Sequence, residues 1–468
     1  MTKRRNNAIT RKFVHASLWT ALNSYCFFIL NFIGQIFLAK LLIPQDYGLY
    51  AFALGIVEIS LMFLGFSNTS GFINSEGKQA DFDVCFKLNL ISSALLLLIG
   101  LCGPLVALIL HETLSHGFFF TLVCFSQCIL LFAYVWMAPL QKSLDFKKVS
   151  WYNGLCSSLS LLIGVGAAKL HFSYWSLGIR DVLYYWFLWM MMRHLCPKRI
   201  SKSFFHVNHR TQFYFNLKTS FSRAMEILYY RFSDILIKLT VGKFILGNFY
   251  QARMISFYPI RIMEPFTHQV LFSFLSNIKH DPKLMANRLD WINWIVSRVF
   301  LPLTLGIIFF GKILFIFVYG QQWALAGTYF QYFSLWIPVA SLFAAALSTC
   351  YSLGKQWIAS AAYIIASLIF IAGMIFLKHQ FAPPFFFTAG LIIGYIFLLT
   401  ALKKSGLPLK ILSIFAAPLL ILCAVLAVFY YTNIYNAIFV FLGLFALLLW
   451  AEKIRVISLW MIIRKNRF

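Results

Sequence analysis

The sequence predicts an all-α integral membrane protein of about 14 transmembrane helices: two pseudo-symmetric six-helix lobes around a central cavity, plus a C-terminal helix pair. Three observations lead there. Of 468 residues, 61% are apolar and 12% charged, where soluble domains carry roughly 45–50% and about 25%; the mean hydropathy is +0.79. Apolar stretches of about 20 residues, the length that crosses a bilayer core, recur along the chain. The joints between them alternate in positive charge, as loops on opposite sides of a membrane do. The longest polar stretch runs only from Cys196 to Asn216, which leaves no room for an extramembrane catalytic domain.

The spans fall near 14–39, 48–73, 88–110, 117–140, 150–168, 173–194, 219–240, 247–275, 292–318, 326–352, 356–377, 383–402, 409–430 and 436–452. Turn chemistry marks their ends. Leu42-Ile43-Pro44-Gln45-Asp46-Tyr47-Gly48 follows the first, Gly311 and Gly320 bracket the end of the ninth, Leu353-Gly354-Lys355 follows the tenth and Ser405-Gly406-Leu407-Pro408 the twelfth. The N-terminal run through Lys3, Arg4, Arg5, Arg11 and Lys12 leads into an apolar span too long for a signal peptide, so it is expected to be a retained first helix. Alternate joints then separate by charge. One side holds that N-terminus, Lys78, Lys87, Lys142, Lys147, Lys148, the joint from Arg193 to Lys218, Lys279, Lys283, Arg288, Lys355, Lys403, Lys404, Lys410 and the basic C-terminus. The other has only Lys40, Lys169, Lys243 and Lys378, an asymmetry of roughly seven to one that predicts cytoplasmic N- and C-termini.

The most basic joint divides the chain into an N-terminal lobe (1–194), a cytoplasmic linker (195–218), a C-terminal lobe (219–402) and a final pair with a basic tail (403–468). A weak internal repeat supports the division. Gly48-Leu49-Tyr50-Ala51-Phe52-Ala53 opens the second span and Gly247-Asn248-Phe249-Tyr250-Gln251-Ala252 opens the eighth. Both helices are expected to run inward, which makes the repeats parallel, a recurrent plan among transporters.

A charge at membrane depth costs at least ~2.5–3.5 kcal/mol on insertion scales, so it marks a water-filled cavity or a partner. On the seventh span Arg223, Glu226, Arg231, Asp234 and Lys238 fall within roughly 140° of arc; on the eighth, Arg253, Arg261, Glu264 and His268 fall within about 80°. Arg180 and Asp181, Arg298, Lys312 and Glu58 lie on other spans. A wet, net-cationic interior suits an anionic substrate such as a phosphate or pyrophosphate, for which Arg offers a planar fork. Candidate head-group ligands are Arg223, Arg231, Lys238, Arg253, Arg261 and Arg298; Glu58, Glu226, Asp234 and Glu264 are candidates for ion coupling or charge pairing. The competing reading is structural: Arg223 with Glu226, Arg231 with Asp234, and Arg261 with Glu264 stand at i, i+3 and can neutralise each other. Lys238, Arg253 and Arg298 have no such neighbour along the sequence, and Glu58 has no basic residue within four positions.

Other chemistries find no support. The net charge of +26 belongs to loops beside anionic lipid rather than to a nucleic-acid interface. Nine cysteines without a CxxC pair indicate neither disulfide framework nor zinc site. His111-Glu112 with His116 has one residue too many for HExxH. Asn68-Thr69-Ser70 spells a glycosylation sequon at the cytoplasmic end of a span, the wrong place for one. No Gly-rich phosphate loop, nucleophile elbow, metal cluster or cofactor motif occurs. The 52 Phe read as packing and lipid-facing side chains.

Three runs carry a family resemblance. Ser17-Leu18-Trp19-Thr20-Ala21-Leu22, with Leu38-Ala39-Lys40-Leu41-Leu42-Ile43-Pro44-Gln45-Asp46-Tyr47-Gly48-Leu49-Tyr50, resembles the N-terminal signature of Wzx-type polysaccharide and O-antigen flippases of the multidrug/oligosaccharidyl-lipid/polysaccharide (MOP) exporter superfamily. The run Arg231 to Ile237, then Val241 to Tyr250, Pro265 and Phe272-Ser273-Phe274, resembles the branch of colanic acid and lipopolysaccharide exporters. Phe310 to Leu314, Val318-Tyr319-Gly320-Gln321-Gln322-Trp323 and Leu353-Gly354-Lys355 extend the likeness over most of the chain. The resemblance implies a carrier in the bacterial inner membrane that moves an undecaprenyl-pyrophosphate-linked oligosaccharide between leaflets by alternating access, without catalysis. Membrane lipids, a polysaccharide polymerase and chain-length machinery are the implied partners. It places Arg231, Asp234, Arg253 and Arg261 in the matching second-lobe helices. The first lobe departs from the pattern, with Arg180 its only clear interior cation. A multidrug exporter would want an acidic site, and an integral membrane glycosyltransferase or polymerase a catalytic outward loop; every outward joint here is short.

Overall fold

The computed structural model describes residues 27, 29–64, 68–75, 77–109, 112–143, 145–196, 198–201, 224–264, 281–409, 415, 418–425 and 434–452. Among the described residues there is no strand, and each of the 14 expected spans contains helix. The helices are α1 (Ile29–Leu41), α2 (Pro44–Leu64), α3 (Asn68–Asn74), α4 (Gln79–Leu101), α5 (Gly103–Ile109), α6 (Leu114–Lys142), α7 (Phe146–Lys169), α8 (Trp175–Leu195), α9 (224–241), α10 (Lys243–Glu264), α11 (Pro282–Tyr319), α12 (Ala324–Ser352), α13 (Gln356–Phe376), α14 (Ala382–Lys404) and α15 (Ile434–Ala451). Among the described residues, seven helical segments are long and apolar enough to cross a membrane, while α1 and α15 are apolar but short. The chain is therefore an all-α, multi-pass membrane protein.

Helix ends follow local rules. Pro44 opens α2 at the position where a missing N–H costs nothing, and Asp46 Oδ2 accepts from the Ile43 N–H at 3.2 Å. Before α4, Asp81 Oδ2 accepts from the N–H groups of Gly77 and Lys78, both at 3.0 Å. Gly242, at φ 94°, ends α9 in a conformation that side chains disfavour and lets α10 begin at once.

The chain forms two compact units, Met1–Gln251 with Phe315–Ala326 and Ser367–Phe387, and Ala252–Leu314 with Gly327–Ala366 and Thr388–Phe468. In the first, α6 is central, packed against α3, α4, α5 and α8, while α7 lies on α8. One end of this bundle is aromatic: Phe72, Phe82 and Trp136 stand edge to face, with Phe82 6.1 Å from Phe72 and 6.2 Å from Trp136. The start of the basic linker is stitched to it, since Lys198 Nζ donates to Gly77 O (2.6 Å) and the Ser201 N–H to Asp83 Oδ1 (3.1 Å). In the second unit, Leu301, Leu305 and Phe309 of α11 pack with Ile421, Leu422 and Val425 and with Phe441 and Leu444 of α15. Gly390 and Gly394 bring α14 against the Ala366 and Ala362 carbonyls of α13, where an added Cβ would sit 2.6 and 2.8 Å away.

The parts 38–50, 241–250 and 318–323 of the three motif runs meet in the first unit; residues 17–22, Pro265 and residues 272–274 lie outside the described residues. The opening turns of α2 and α10 cross at their repeat-related glycines: a Cβ on Gly48 would lie 1.9 Å from Lys243 O, and one on Gly247 would lie 1.7 Å from Pro44 O. Contact is reciprocal, each glycine lying against the backbone of the other helix. Beside it, Gln322 Nε2 donates to Ala39 O (3.0 Å) and Leu42 O (3.2 Å), and Trp323 Nε1 to Ala39 O (2.7 Å), satisfying carbonyls that the end of α1 leaves open. Trp323 is fully buried and meets the Tyr47 ring edge to face at 5.3 Å. Asn248 Oδ1 accepts from the Ala326 N–H at 3.0 Å, capping α12.

Backbone sits where either Cβ would go, so Gly48→Ala and Gly247→Ala are each expected to cost about 1–3 kcal/mol or more. Gly306→Ala, on an open helix position, serves as control. Unfolding midpoints in one detergent check this: the first two fall and the third holds or rises.

Candidate functional site

The charged helix faces converge on few places, and the first is built around Arg231. A π-helical turn at Leu228–Phe232 interrupts α9, and Arg231 lies within it; such wider turns concentrate at functional sites. Gly55 of α2 leaves room for it, since a Cβ there would stand 3.2 Å from Arg231 O. The guanidinium donates from Nε to Glu58 Oε2 and from Nη2 to Glu58 Oε1, both at 2.6 Å, and from Nη1 to Asp234 Oδ2 at 3.4 Å. Asp234 is fully buried; the Arg231 and Glu58 side chains remain 19% and 25% exposed. Two carboxylates against one guanidinium make this trio formally anionic.

A second cluster lies between α2 and α8. Arg180 donates to Asp181 Oδ1 from Nε (2.9 Å) and Nη2 (2.7 Å), Tyr50 OH donates to Asp181 Oδ2 (2.6 Å), and the guanidinium lies 5.5 Å from the centre of the Tyr50 ring. Tyr250 of α10 meets the Tyr50 ring edge to face at 6.1 Å. Both oxygens of the buried Asp181 carboxylate thus have donors, which is the condition for keeping such a group away from water.

Two cations that lack a neighbour along the sequence have one in space. Lys238 Nζ donates to Glu112 Oε1 at 3.0 Å and sits 4.4 Å above the Phe52 ring. His116 Nδ1 lies 2.9 Å from the other Glu112 oxygen. The hydrogen bond from Lys238, aided by His116, holds the Glu112 carboxyl below the ordinary carboxylate range against a smaller desolvation effect. Arg298 donates to Glu452 from Nε (3.2 Å) and Nη2 (2.7 Å), and Trp294 Nε1 donates to the same carboxylate at 2.9 Å. That places Arg298 in a clamp on the residue that follows α15.

Arg253 is buried at 2% exposure and Arg261 is exposed on α10; Glu226 is half-buried on α9. Arg223, His268 and the Glu264 side chain lie outside the described residues. Sequence reading singled out Arg231, Asp234 and Glu58 as charged candidates but missed the joining of Glu58 to Arg231, which stand 173 positions apart. It also missed Glu112 and Glu452 as counter-ions; the first lies in the joint after the third span and the second at the last position of the fourteenth, where an acid is unremarkable. The expected 140° ionic arc assumed an unbroken α-helix, and the π turn re-aims every residue after Phe232. Among the described residues, no three His, Cys, Asp or Glu side chains are placed to hold a metal.

Because Glu112 has a lowered folded pKa, its pairing stabilises the fold above the ordinary glutamate range and is lost as pH falls through the lowered value. The group is partly exposed, so the pairing is worth only ~0.2–1 kcal/mol. The difference in unfolding midpoint between wild type and Glu112→Gln should thus be present at neutral pH and vanish at a pH below the ordinary carboxylate range. For the clamp, Arg298→Ala and Glu452→Ala should each destabilise, and the double variant should be little worse than either, a coupling of about 2 kcal/mol or more in a double-mutant cycle.

The sequence pattern of the family described as polysaccharide biosynthesis protein matches residues 37–327. An uncharacterized membrane protein in the cps region of Klebsiella pneumoniae is 21% identical over 338 residues, 67% of this chain; the match spans 65% of that relative's length. The fold is similar to the lipid II flippase MurJ in an inward closed conformation (TM-score 0.68, 14% identity, 94% of this chain and 99% of that one). It is also similar to an inward-facing multidrug resistance MATE family transporter of the MOP superfamily (TM-score 0.61, 12% identity, 82% and 99%). At such identities these likenesses speak for the fold. With the family match extending over more than half of its length, the chain belongs to the polysaccharide biosynthesis protein family, and it has the fold of MOP-superfamily transporters.

Proposed function

We propose that this protein translocates an undecaprenyl-pyrophosphate-linked oligosaccharide across the bacterial cytoplasmic membrane for O-antigen, capsule or exopolysaccharide assembly, by alternating access and without catalysing a reaction. The family match over residues 37–327 carries this reading. Support comes from the fold and from the cps-region context of the Klebsiella relative. Lobes 1–194 and 219–402 move about the substrate, with both termini in the cytoplasm. Cations, Arg231 and Arg253 foremost, with Arg223, Lys238, Arg261 and Arg298, receive the pyrophosphate-sugar head while Glu58, Glu226, Asp234 and Glu264 balance or couple charge. The lipid tail stays among membrane lipids, and a polymerase with its chain-length partner takes the delivered unit.

One observation favours a second reading, export of a cationic drug: the Arg231 trio carries two acids for one base. Deletion of the gene with complementation separates the two. Intermediates should accumulate in the cytoplasmic leaflet of the deletion strain, unreachable by an enzyme added outside, with surface glycan lost. Wild type should restore both; Arg253→Ala and Arg231→Ala should insert normally and restore neither. Normal delivery of intermediates, with altered drug resistance, would favour the second reading.

A further inference from the structure

In this conformation the Arg231 guanidinium, a natural receptor for anions, is already occupied. Nε and Nη2 form the edge of a guanidinium that binds carboxylate or phosphate through two parallel bonds, and Glu58 fills that edge of Arg231 with two contacts of 2.6 Å. We propose that Glu58 is a built-in competitor for the substrate's anionic head: it holds the Arg231 fork until a diphosphate group displaces it. This rests on the anionic substrate of the proposed function.

Three features assign the role to Glu58. Its side chain is 25% exposed and that of Arg231 19%, while Asp234 is fully buried; of the two carboxylates, Glu58 is the one that can swing out to water. A charge on a membrane helix that keeps partial exposure faces water rather than hydrocarbon, so the fork is reachable by a polar ligand. With Glu58 in place the trio bears one net negative charge and repels a diphosphate. With Glu58 withdrawn, local charge rises by one unit and two donors come free, while Asp234 still holds Nη1.

Displacement also has a mechanical consequence. Glu58 belongs to α2, in the first group of six spans, and Arg231 to the π turn of α9, which opens the second. An arriving head group therefore exchanges an inter-helix tie for a protein–ligand bond, and the neighbouring approach of α2 to that turn, Gly55 against the Arg231 carbonyl, is a contact without charge. Binding and the loss of that one tie become a single event, while Lys238 of α9 stays over the Phe52 ring of α2.

Titration of full-length protein in detergent micelles with inorganic pyrophosphate tests this. Glu58→Gln should bind on the order of tenfold tighter than wild type, as loss of a charged competitor worth about 1.4 kcal/mol requires. The gain should disappear in Glu58→Gln/Arg231→Met and be absent from Asp145→Asn, which removes the acid of the Asp145–Lys148 pair, neither member of which belongs to the proposed site. Glu58→Asp keeps the charge but shortens the reach; its intermediate gain decides the matter should the Gln variant not fold. Unchanged affinity in both Glu58 variants, a gain that survives Arg231→Met, or an equal gain in Asp145→Asn would each overturn the proposal. Should intermediates remain stranded in the deletion strain while the Glu58 variants bind no tighter, the competitor falls and the transport reading stands. A gain through Arg231, with intermediates delivered normally without the protein, would instead keep the competitor and remove the transport reading.

Discussion

A charged side chain inside a hydrocarbon slab must find a counter-charge or water, and the paired helices of this protein are organised around that requirement. The ionic contacts that tie helices join elements that the chain separates widely: Arg231 on α9 to Glu58 on α2, Lys238 on α9 to Glu112 before α6, Arg298 on α11 to Glu452 after α15. Arg180 and Asp181 are adjacent, yet even they are completed by Tyr50 from another helix. Apolar helices in lipid gain little from burying apolar faces against one another, so polar links and close backbone contacts decide which helices meet.

The glycine crossing answers the same need by different means. Gly48 and Gly247 let α2 and α10 touch backbone to backbone, gaining dispersion where the hydrophobic effect is weak. Around it the end of α1 receives its missing donors from Gln322 and Trp323. Residues 38–50, 241–250 and 318–323, parts of the runs that carry the family likeness, are thus joined, and the glycines, Gln322 and Trp323 among them have packing roles there.

Function and charge balance are related closely here. A carrier of an anionic head needs cations at membrane depth, but an empty carrier cannot leave them bare. Carboxylates shared between helices meet that condition, so a local acidic excess around Arg231 is compatible with transport of a diphosphate. The first lobe shows the pattern in its simplest form, with Arg180, Asp181 and Tyr50 closed on themselves.

Much of the architecture could be read from composition and period. Fourteen apolar stretches of spanning length, broken by Pro, Gly and charge, leave a membrane-bound helix little alternative, because every backbone group in lipid must be bonded within its own helix. The ionic character of α9 was also legible. Sequence by itself therefore determined the fold class and the helical stretches. Only the tertiary structure decided which charges meet. Glu58 looked solitary because nothing within four positions opposes it, and Lys238 and Arg298 looked unpaired for the same reason, while their partners stand 173, 126 and 154 positions away. Helical period dictates the face on which a side chain lies, but not the neighbour that face will find; that depends on packing angles, on a π turn at Leu228–Phe232 and on glycines that let two backbones approach.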